Sequence, residues 1–442
     1  MRSLRVSVCG LLLTLLPALA QAIPPIQHWT QDDGARVYFV ATDALPIVDV
    51  RLTFDAAAAR DGKLPGLARL TSSLLDQGND GLDAGEVAAR FEQVGARLSG
   101  GSERDMAWLQ LRSLSEPKAL NTAIDTLALV LGKPDFPPAA VERNRKQMLV
   151  GLQAVQQSPD ELGMRAFYPA IYGDHPYANP PSGTEESVAA ISRDDVVAFY
   201  RRYYTAPNAV IALTGDLSRE QAAAIARKLS AGLPRGEAPP PLPPVRPSRK
   251  GGQVRVPFSS TQTHVLIGQP AIDRNSPDYF AFTVGNHVLG GGGLVSLLNQ
   301  AMREQRGLSY SSASYFVPSA RPGPFIISTQ VRNERVDEAL EVIGQLFRQL
   351  RSEGPSKEQL DAAKRNITGG FPLSLDSNSD IVGQLAAIGF YRLPLDYLDN
   401  YVKRIEQVSA EDVRKAFQTY LDPDAMTTVL VGPEPRQPAA KP

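Results

Sequence analysis

Residues 289–310 read LGGGGLVSLLNQAMREQRGLSY, and the strongest structural and chemical signals of the chain lie in this stretch. It opens with a run of four glycines that begins at Gly290. Gly307 suits the left-handed conformation that commonly ends a helix, so the stretch predicts a glycine turn, a helix and a second turn. Apolar residues on the predicted helix recur three and four positions apart, at Leu294, Leu297, Leu298, Ala301 and Met302.

Two side chains near the end of this helix are suited to holding a peptide backbone. Arg303 lies in the predicted last turn, where the helix dipole favours a cation, and Tyr310 follows after the turn. A guanidinium and a phenol both donate hydrogen bonds to carbonyl oxygens. Arg306 lies one turn beyond Arg303 and is the lesser candidate. The residues alone also allow the interpretation that the glycines form a flexible loop and Arg303 is a solvated helix end.

The first 22 residues are typical of a cleavable secretory signal. Arg2 and Arg5 flank the start of an apolar run, residues 6–19, that is too short to span a bilayer well, and AQA at residues 20–22 supplies a cleavage site. An uncleaved anchor is the alternative. The only cysteine, Cys9, lies inside this segment, so the mature chain is expected to have no disulfides or thiolate ligands. These features predict export to a bacterial periplasm.

Charge and hydropathy argue against two classes of partner. The formal net charge is −1, which gives no indication of nucleic acid binding. No second apolar run approaches the length of a transmembrane helix, so no stable membrane span is expected after the signal is removed. A chain of 442 residues is long enough for about two to three domains.

A proline-rich segment divides the chain into two similar halves. PPPLPP at residues 239–244, followed by basic and glycine residues up to 252, predicts an exposed, stiff linker. We therefore expect an N-terminal domain at residues 23–238 and a C-terminal domain at residues 253–435.

An internal repeat supports this division. ISRDDV at residues 191–196 is echoed by VSAEDV at residues 408–413, and the match continues without a gap for about twenty residues. In each copy a serine, Ser192 or Ser409, suits a helix N-cap and is followed by an amphipathic helix, a turn and an apolar strand. Duplication is the simplest explanation of this match.

The periodicity of the remaining segments predicts an α+β fold, with helices on one face of an antiparallel-rich sheet in each domain. Strands are predicted at residues 36–42, 47–54, 106–113, 209–214, 253–258, 264–267, 313–317, 324–331 and 426–431. Helices are predicted at residues 66–76, 84–94, 118–131, 139–157, 277–289, 336–353, 357–369 and 381–393.

Residues 289–310 resemble the second-domain signature of the M16 metallopeptidases, the family of pitrilysin, insulysin and the processing peptidases. In that family a glycine-rich turn precedes a helix of the form SRL…LR…GLxY, and an Arg and a Tyr at this spacing hold the backbone of the bound peptide. The resemblance assigns these substrate-binding roles to Arg303 and Tyr310. It extends from about His28 to Gly432 and implies two homologous α+β domains that face each other across a cavity.

The first half resembles the zinc-binding domain of that family only in the residues that surround the metal-binding motif. In the family, an early helix carries His-x-x-Glu-His, in which the histidines bind zinc and the Glu is the general base. GLARLTSSLLDQG at residues 66–78 corresponds to that helix, and residues 84–102 correspond to the helix and turn that follow it.

The zinc ligands themselves are missing. The motif positions fall on Arg69, Ser72 and Ser73, and the position of a third ligand falls on or beside Gly151. A catalytic zinc needs three lone-pair donors, and an arginine brings a permanent positive charge to the place of the metal. The resemblance therefore implies a lost zinc site, with no metal and no cofactor in this chain. The alternative is that this helix never corresponded to a zinc motif.

Other candidate motifs are weaker. The four histidines are not paired at metal-binding spacing, and His175 lies in a loop similar to the family's HPYxxPxxGt, where a lone histidine is more often structural. The tetraglycine is not followed by the Gly-Lys-Ser/Thr of a phosphate-binding loop. Ser72 and Ser73 lack the Gly-x-Ser-x-Gly context of a nucleophile.

The retained and the lost motifs together imply one half of a split peptidase. Some M16 enzymes are heterodimers, in which one subunit keeps His-x-x-Glu-His and the other supplies the Arg and Tyr. The resemblance predicts that this chain is the second type, inactive alone, with a zinc-bearing homologue as its partner and a peptide as substrate. The alternative is a non-enzymatic peptide-binding or assembly protein of the cell envelope, because the family also includes subunits without proteolysis.

Overall fold

A computed structural model describes residues 24–246 and 251–434, so the predicted signal at residues 1–22 lies outside the described part of the chain. The strands of the first half are β1 (Gln27–Thr30), β2 (Arg36–Ala41), β3 (Ile47–Phe54), β4 (Gly78–Asn79), β5 (Leu82–Asp83), β6 (Arg97–Ser102), β7 (Ala107–Leu114) and β8 (Ala209–Gly215). Its helices are α1 (Leu67–Ser73), α2 (Ala84–Glu92), α3 (Pro117–Gly132), α4 (Pro138–Val155), α5 (Pro159–Tyr172), α6 (Glu185–Ala190), α7 (Arg193–Tyr203) and α8 (Arg219–Ala231).

The second half repeats this mixture of strands and helices. Its strands are β9 (Gln253–Pro257), β10 (Gln262–Pro270), β11 (Ser312–Phe316), β12 (Pro324–Arg332) and β13 (Thr427–Gly432). Its helices are α9 (Tyr279–Asn286), α10 (Leu297–Asn299), α11 (Val336–Glu353), α12 (Lys357–Gly370), α13 (Asn378–Tyr391), α14 (Tyr397–Gln407) and α15 (Ala410–Tyr420). Two wider, π-helical turns, His287–Gly291 and Gln300–Glu304, continue α9 and α10.

Each half builds one large sheet. The first sheet has six strands in the order β1-β2-β8-β3-β7-β6, and the second has five in the order β11-β12-β10-β13-β9. Neighbouring strands are antiparallel except for β2 beside β8 and β9 beside β13. The predicted α+β class is therefore confirmed. Residues 97–102, which the sequence assigned to a turn, form the edge strand β6 instead.

The helix that begins each repeat copy is capped as predicted. The hydroxyl of Ser192 accepts a hydrogen bond from the backbone N–H of Asp195 at 3.2 Å, and Ser409 does the same for Asp412 at 3.1 Å. The carboxylate of each aspartate in turn accepts the backbone N–H of its serine, so both helices have a complete capping box. The strands that follow, β8 and β13, lie in the interior of the two sheets.

The two halves exchange one helix each, which the sequence did not predict. Helix α13 of the second half packs on β2, β3 and β8 of the first sheet, and α5 of the first half packs on β9, β10 and β13 of the second sheet. We call α5 and α13 the exchange helices. Gly389 of α13 permits a close approach, because a Cβ there would lie 2.4 Å from Val210. Each sheet thus carries its own helices on one face and the other half's helix on the second.

The exchange explains why the central strands are apolar on both faces. All seven residues of β8 are buried. On β2, Phe39 belongs to the core of the first half, whereas Tyr38 packs into the core that contains α13. On β10, Leu266 packs against Phe167 of α5.

Polar contacts also join the halves. Arg36 donates to the carbonyl of Gly389 at 2.6 Å, and His264 lies 2.7 Å from the carboxylate of Asp160. The buried carboxylate of Asp105 accepts the backbone N–H of Ala320 at 2.7 Å. The domain limits at residues 238 and 253 stay a prediction, because the exchange helices place part of each half on the sheet of the other.

The proline-rich segment is held against the body of the protein, although most of its described residues are exposed as predicted. Leu242 is buried in the cluster around Phe167, and its carbonyl accepts a hydrogen bond from Nε of Arg321 at 2.7 Å. The carbonyl of Pro240 accepts a hydrogen bond from Arg60 at 2.8 Å. The prediction of an exposed linker is wrong at Leu242, because this apolar side chain packs into the cluster around Phe167.

Candidate functional site

The glycine-rich stretch folds into a turn followed by a helix, but the helix begins later than predicted. Ser296 is the N-cap, and its hydroxyl accepts the backbone N–H of Asn299 at 3.4 Å. Leu294 and Val295 precede this cap and are 62% and 69% exposed. The assignment of Leu294 to the apolar helix face is therefore wrong. Gly307 has φ of +57° and ends the helix in the left-handed conformation, as predicted.

Close packing accounts for Gly290 and Gly292, whereas Gly293 has a positive φ of +64°. A Cβ on Gly290 would lie 2.2 Å from the backbone nitrogen of Ser314 in β11, and a Cβ on Gly292 would lie 2.8 Å from the carbonyl oxygen of His287. The first of these contacts is with the backbone of a neighbouring strand, which cannot move aside cheaply. The glycines thus allow the chain to press against β11, just before the helix that carries Arg303.

The structure brings Arg303 and Tyr310 together. The guanidinium carbon of Arg303 lies 4.7 Å from the centre of the Tyr310 ring, which is a cation–π contact. Arg303 stands in the π-helical turn Gln300–Glu304, and its Nε lies 3.4 Å from a carboxylate oxygen of Glu304. Tyr310 is 81% exposed. The pair therefore presents a guanidinium and a phenol side by side to solvent, where both can donate to one extended ligand.

Arg306 has a different environment. Its Nη1 donates to the carbonyl of Ala301 at 3.1 Å and to the side chain of Gln305 at 3.0 Å. Its guanidinium thus satisfies the end of its own helix, in the way that basic residues commonly do.

Asn299 positions this region, a role that was not predicted from the sequence. The side chain is buried, and its amide nitrogen donates to the carbonyls of Gly293 at 2.9 Å and Ser312 at 2.8 Å. Its oxygen accepts the backbone N–H of Ser312 at 3.2 Å. These bonds tie the glycine turn to the start of β11, directly after Tyr310. The available signal was an asparagine beside Leu298 on an apolar helix face, where a polar group needs a partner.

Three of the four degenerate zinc positions line one cleft in the first half. Arg69 and Ser73 of α1 face Gly151 of α4 across a cavity of about 560 Å³. Ser72 is buried beneath α1 and does not line it. Helices α1 and α4 thus form the two walls of this cleft.

The donor set of this cleft does not fit zinc. Arg69 carries a positive charge and no lone pair, Ser73 donates its hydroxyl to the carbonyl of Leu70 at 2.9 Å, and Gly151 has no side chain. Glu161 is the only carboxylate in the lining. Within residues 24–246 and 251–434, no group of three or more His, Cys, Asp or Glu side chains is placed to hold a metal ion.

Each histidine has a structural environment. His175 uses both ring nitrogens, because Nδ1 accepts the backbone N–H of Tyr177 at 3.1 Å and Nε2 lies 3.0 Å from the carbonyl of Pro243. Burial lowers its pKa. His28 stacks on a tyrosine ring with centroids 4.2 Å apart. Burial also lowers the pKa of His287, which packs under the glycine turn.

Two family models match the chain. The model described as "Insulinase (Peptidase family M16)" matches residues 36–185, and the model described as "Peptidase M16 inactive domain" matches residues 190–367. A crystal structure of a peptidase M16 inactive domain from Pseudomonas fluorescens is 40% identical, covers 93% of this chain and 99% of that one, and superposes with a TM-score of 0.90. The chain therefore belongs to peptidase family M16.

More distant relatives differ in how they are described. An uncharacterized zinc protease of Mycobacterium tuberculosis is 27% identical over 408 residues, which covers 89% of this chain and 90% of the relative. A protein of Helicobacter pylori described as the non-peptidase homolog YmxG is 25% identical, with 89% and 91% covered. A crystal structure of a protease from Helicobacter pylori is 19% identical, covers 93% and 100% of the two chains, and has the same fold with a TM-score of 0.84.

Proposed function

We propose that this chain is the non-zinc-binding subunit of an exported, heterodimeric M16 peptidase and that it supplies Arg303 and Tyr310 to the substrate site. One observation carries the proposal. The Arg303–Tyr310 pair is assembled and turned to solvent, whereas Arg69, Ser73 and Gly151 stand where the family binds its metal.

The chemistry follows from the two side chains. The guanidinium of Arg303 and the hydroxyl of Tyr310 donate hydrogen bonds to carbonyl oxygens of an extended peptide and so hold its backbone across the cavity between the subunits. The same donors stabilise negative charge that develops on a carbonyl oxygen in the transition state. A zinc ion in the partner subunit would supply the activated water.

The comparisons support a subunit without its own zinc chemistry. The second half matches a model described as an inactive domain, and the similar Pseudomonas fluorescens structure carries the same description. A partner that bears His-x-x-Glu-His is the expected complement, since the retained residues bind a peptide but activate no water.

We also propose that the complex works in the periplasm. The support is the signal-like sequence of residues 1–22. None of the helices in residues 24–246 and 251–434 has the length and apolar character that crossing a membrane requires.

Reconstitution tests the proposal. The purified chain is mixed with a zinc-bearing M16 homologue from the same host, and cleavage of a quenched fluorescent peptide is measured. A hydrogen bond from a charged donor is worth about 1.5–3 kcal/mol, so Arg303→Ala should lower kcat/KM by roughly 10- to 150-fold. Tyr310→Phe removes one neutral hydrogen bond and should lower kcat/KM by about fivefold.

Arg306→Ala is the matched control. It removes a guanidinium from the same helix end, but one that bonds to the carbonyl of Ala301 in its own helix. Turnover should change less than about twofold, because a local helix-end contact contributes little to binding. Equal rates for the wild type, Arg303→Ala and Tyr310→Phe in the active complex would remove the assigned roles.

A non-enzymatic peptide-binding or assembly protein of the envelope is the second candidate. It is favoured by the similarity to the Helicobacter pylori protein described as a non-peptidase homolog. Affinity capture from the native host separates the two. Recovery of a zinc-peptidase homologue supports the split enzyme, and recovery of unrelated envelope proteins alone supports the second candidate.

A further inference from the structure

The cleft between α1 and α4 is open at Gly151, which has no side chain to fill it. A Cβ built on Gly151 would have no atom within 4 Å, so the glycine leaves room rather than permitting a tight contact. Met148, Leu152 and Val155 lie one helical turn apart on α4 and give the cleft an apolar wall. The volume of about 560 Å³ lies within the usual range for ligand sites.

The opposite wall supplies one unpaired cation. Arg69 is exposed on α1, and its guanidinium forms no hydrogen bond or ion pair with any side chain in the described part of the chain. The amides of Asn144 and Gln147 and the hydroxyl of Ser73 stand nearby in the lining. A ligand that fills this cleft would therefore need an anionic end, an apolar body and a hydrogen-bonding group for the amide of Gln147.

The cleft continues into a second cavity, which gives it the length for an extended chain. Glu161 and Ser182 line both spaces, and the second space has a volume of about 230 Å³. In the second cavity the guanidinium of Arg104 lies 3.7 Å from the centre of the Tyr168 ring, so a cation–π pair forms part of the wall.

We propose that this groove binds the C-terminal segment of a peptide, with the α-carboxylate on Arg69 and an aliphatic last side chain beside Gly151. Charge complementarity selects the carboxylate, because arginine binds carboxylates with two parallel hydrogen bonds. The amide of Gln147 favours a peptide over a fatty acid, since a hydrocarbon chain laid against it would leave it without a partner. The side chains of Ser73 and Asn144 already donate to carbonyls of their own helices. The site is separate from the Arg303–Tyr310 pair, and the isolated chain should bind through it without a zinc-bearing partner.

Binding to the isolated chain tests this proposal. Fluorescence anisotropy is measured with a fluorescein-labelled pentapeptide that ends in leucine, prepared once as the free acid and once as the C-terminal amide. The free acid should bind about tenfold or more tightly than the amide, because only the acid forms a charge-assisted pair with Arg69. Arg69→Gln should weaken binding of the free acid by about the same factor and leave the affinity for the amide nearly unchanged.

Two further variants separate occupation of the groove from surface charge. Gly151→Leu puts a side chain into the open space and should abolish binding of both peptides, while circular dichroism shows an intact fold. Arg143→Gln is the control on the same helix, because the Arg143 guanidinium donates to Gln77 at 2.7 Å and does not line the cleft. It should bind like the wild type.

Three results would overturn the proposal. The first is equal affinity for acid and amide. The second is unchanged binding by Arg69→Gln or Gly151→Leu. The third is no binding of the free acid at millimolar concentration; binding of decanoate by the same protein would then assign the groove to a lipid.

Discussion

Replacement of Phe167 by alanine tests whether the exchange helices join the two halves into one cooperative unit. Phe167 belongs to α5 of the first half but lies fully buried against the second sheet, where Gly268 of β10 leaves room for its ring. Phe→Ala in a closed core costs about 3–5 kcal/mol. The shift in the thermal midpoint is this loss divided by the entropy of unfolding, which is about 2.1 cal/mol/K for each of roughly 400 ordered residues. The midpoint of thermal unfolding should therefore fall by about 4–6 °C.

The two tryptophans make the assay specific for one half. Trp29 lies in β1 and Trp108 in β7, so both report on the first sheet, whereas circular dichroism reports on all helices and strands. Thermal unfolding of Phe167→Ala is followed by both signals. The exchange predicts that the two transitions coincide and shift together, because the second sheet cannot loosen without releasing α5 from the first half.

A surface substitution supplies the control. Leu373→Ala removes a side chain that is 71% exposed in the second half, and its stability should stay within about 0.5 kcal/mol of the wild type. An unchanged tryptophan midpoint in Phe167→Ala, alongside a separate lower transition in circular dichroism, would refute the coupling of the halves.

Substitutions of single side chains should change the stability in three further places. Asn299→Ala removes three hydrogen bonds to backbone groups and should lower the free energy of unfolding by about 1–3 kcal/mol in urea titrations, with a lower kcat/KM in the reconstituted complex. Unchanged stability would contradict its positioning role. Gly290→Ala should destabilise the protein by about 1–3 kcal/mol, because its Cβ would meet the backbone of β11. Gly151→Ala should stabilise it by up to about 1 kcal/mol, because the position is open and alanine favours a helix more than glycine does. The same change in stability for both variants would contradict this difference between the two sites. Burial raises the pKa of Asp61 from its ordinary 3.8 to about 7. Its contribution to the free energy of unfolding therefore falls as pH rises between those two values. Asp61→Asn should flatten the dependence of that free energy on pH in this window, and an unchanged slope would refute the burial effect.

Local pattern predicted most of the regular elements. The limits of β3 and α11 agree with the structure residue by residue, because the strand is bounded by turns and the helix has a strong apolar stripe. The capping boxes at Ser192 and Ser409 were also readable, since a cap and its partner lie only three residues apart.

Features that depend on distant surfaces were not predicted. Helix α5 was missed, since its apolar residues match the second sheet rather than any neighbour in sequence, and Pro169 interrupts its pattern. The buried Leu242 in the proline-rich segment has the same cause. At the candidate site, the adjacency of Arg303 and Tyr310 was expected from the resemblance, but the role of Asn299 depends on backbone groups of two separate turns.

Peptide hydrolysis by the purified chain, alone and then mixed with its zinc-bearing homologue, is the decisive test of the split enzyme. We expect no cleavage and no stoichiometric zinc in the isolated chain, and cleavage in the mixture that depends on Arg303. Chelator-sensitive cleavage by the isolated chain, with one tightly bound zinc per molecule, would contradict it.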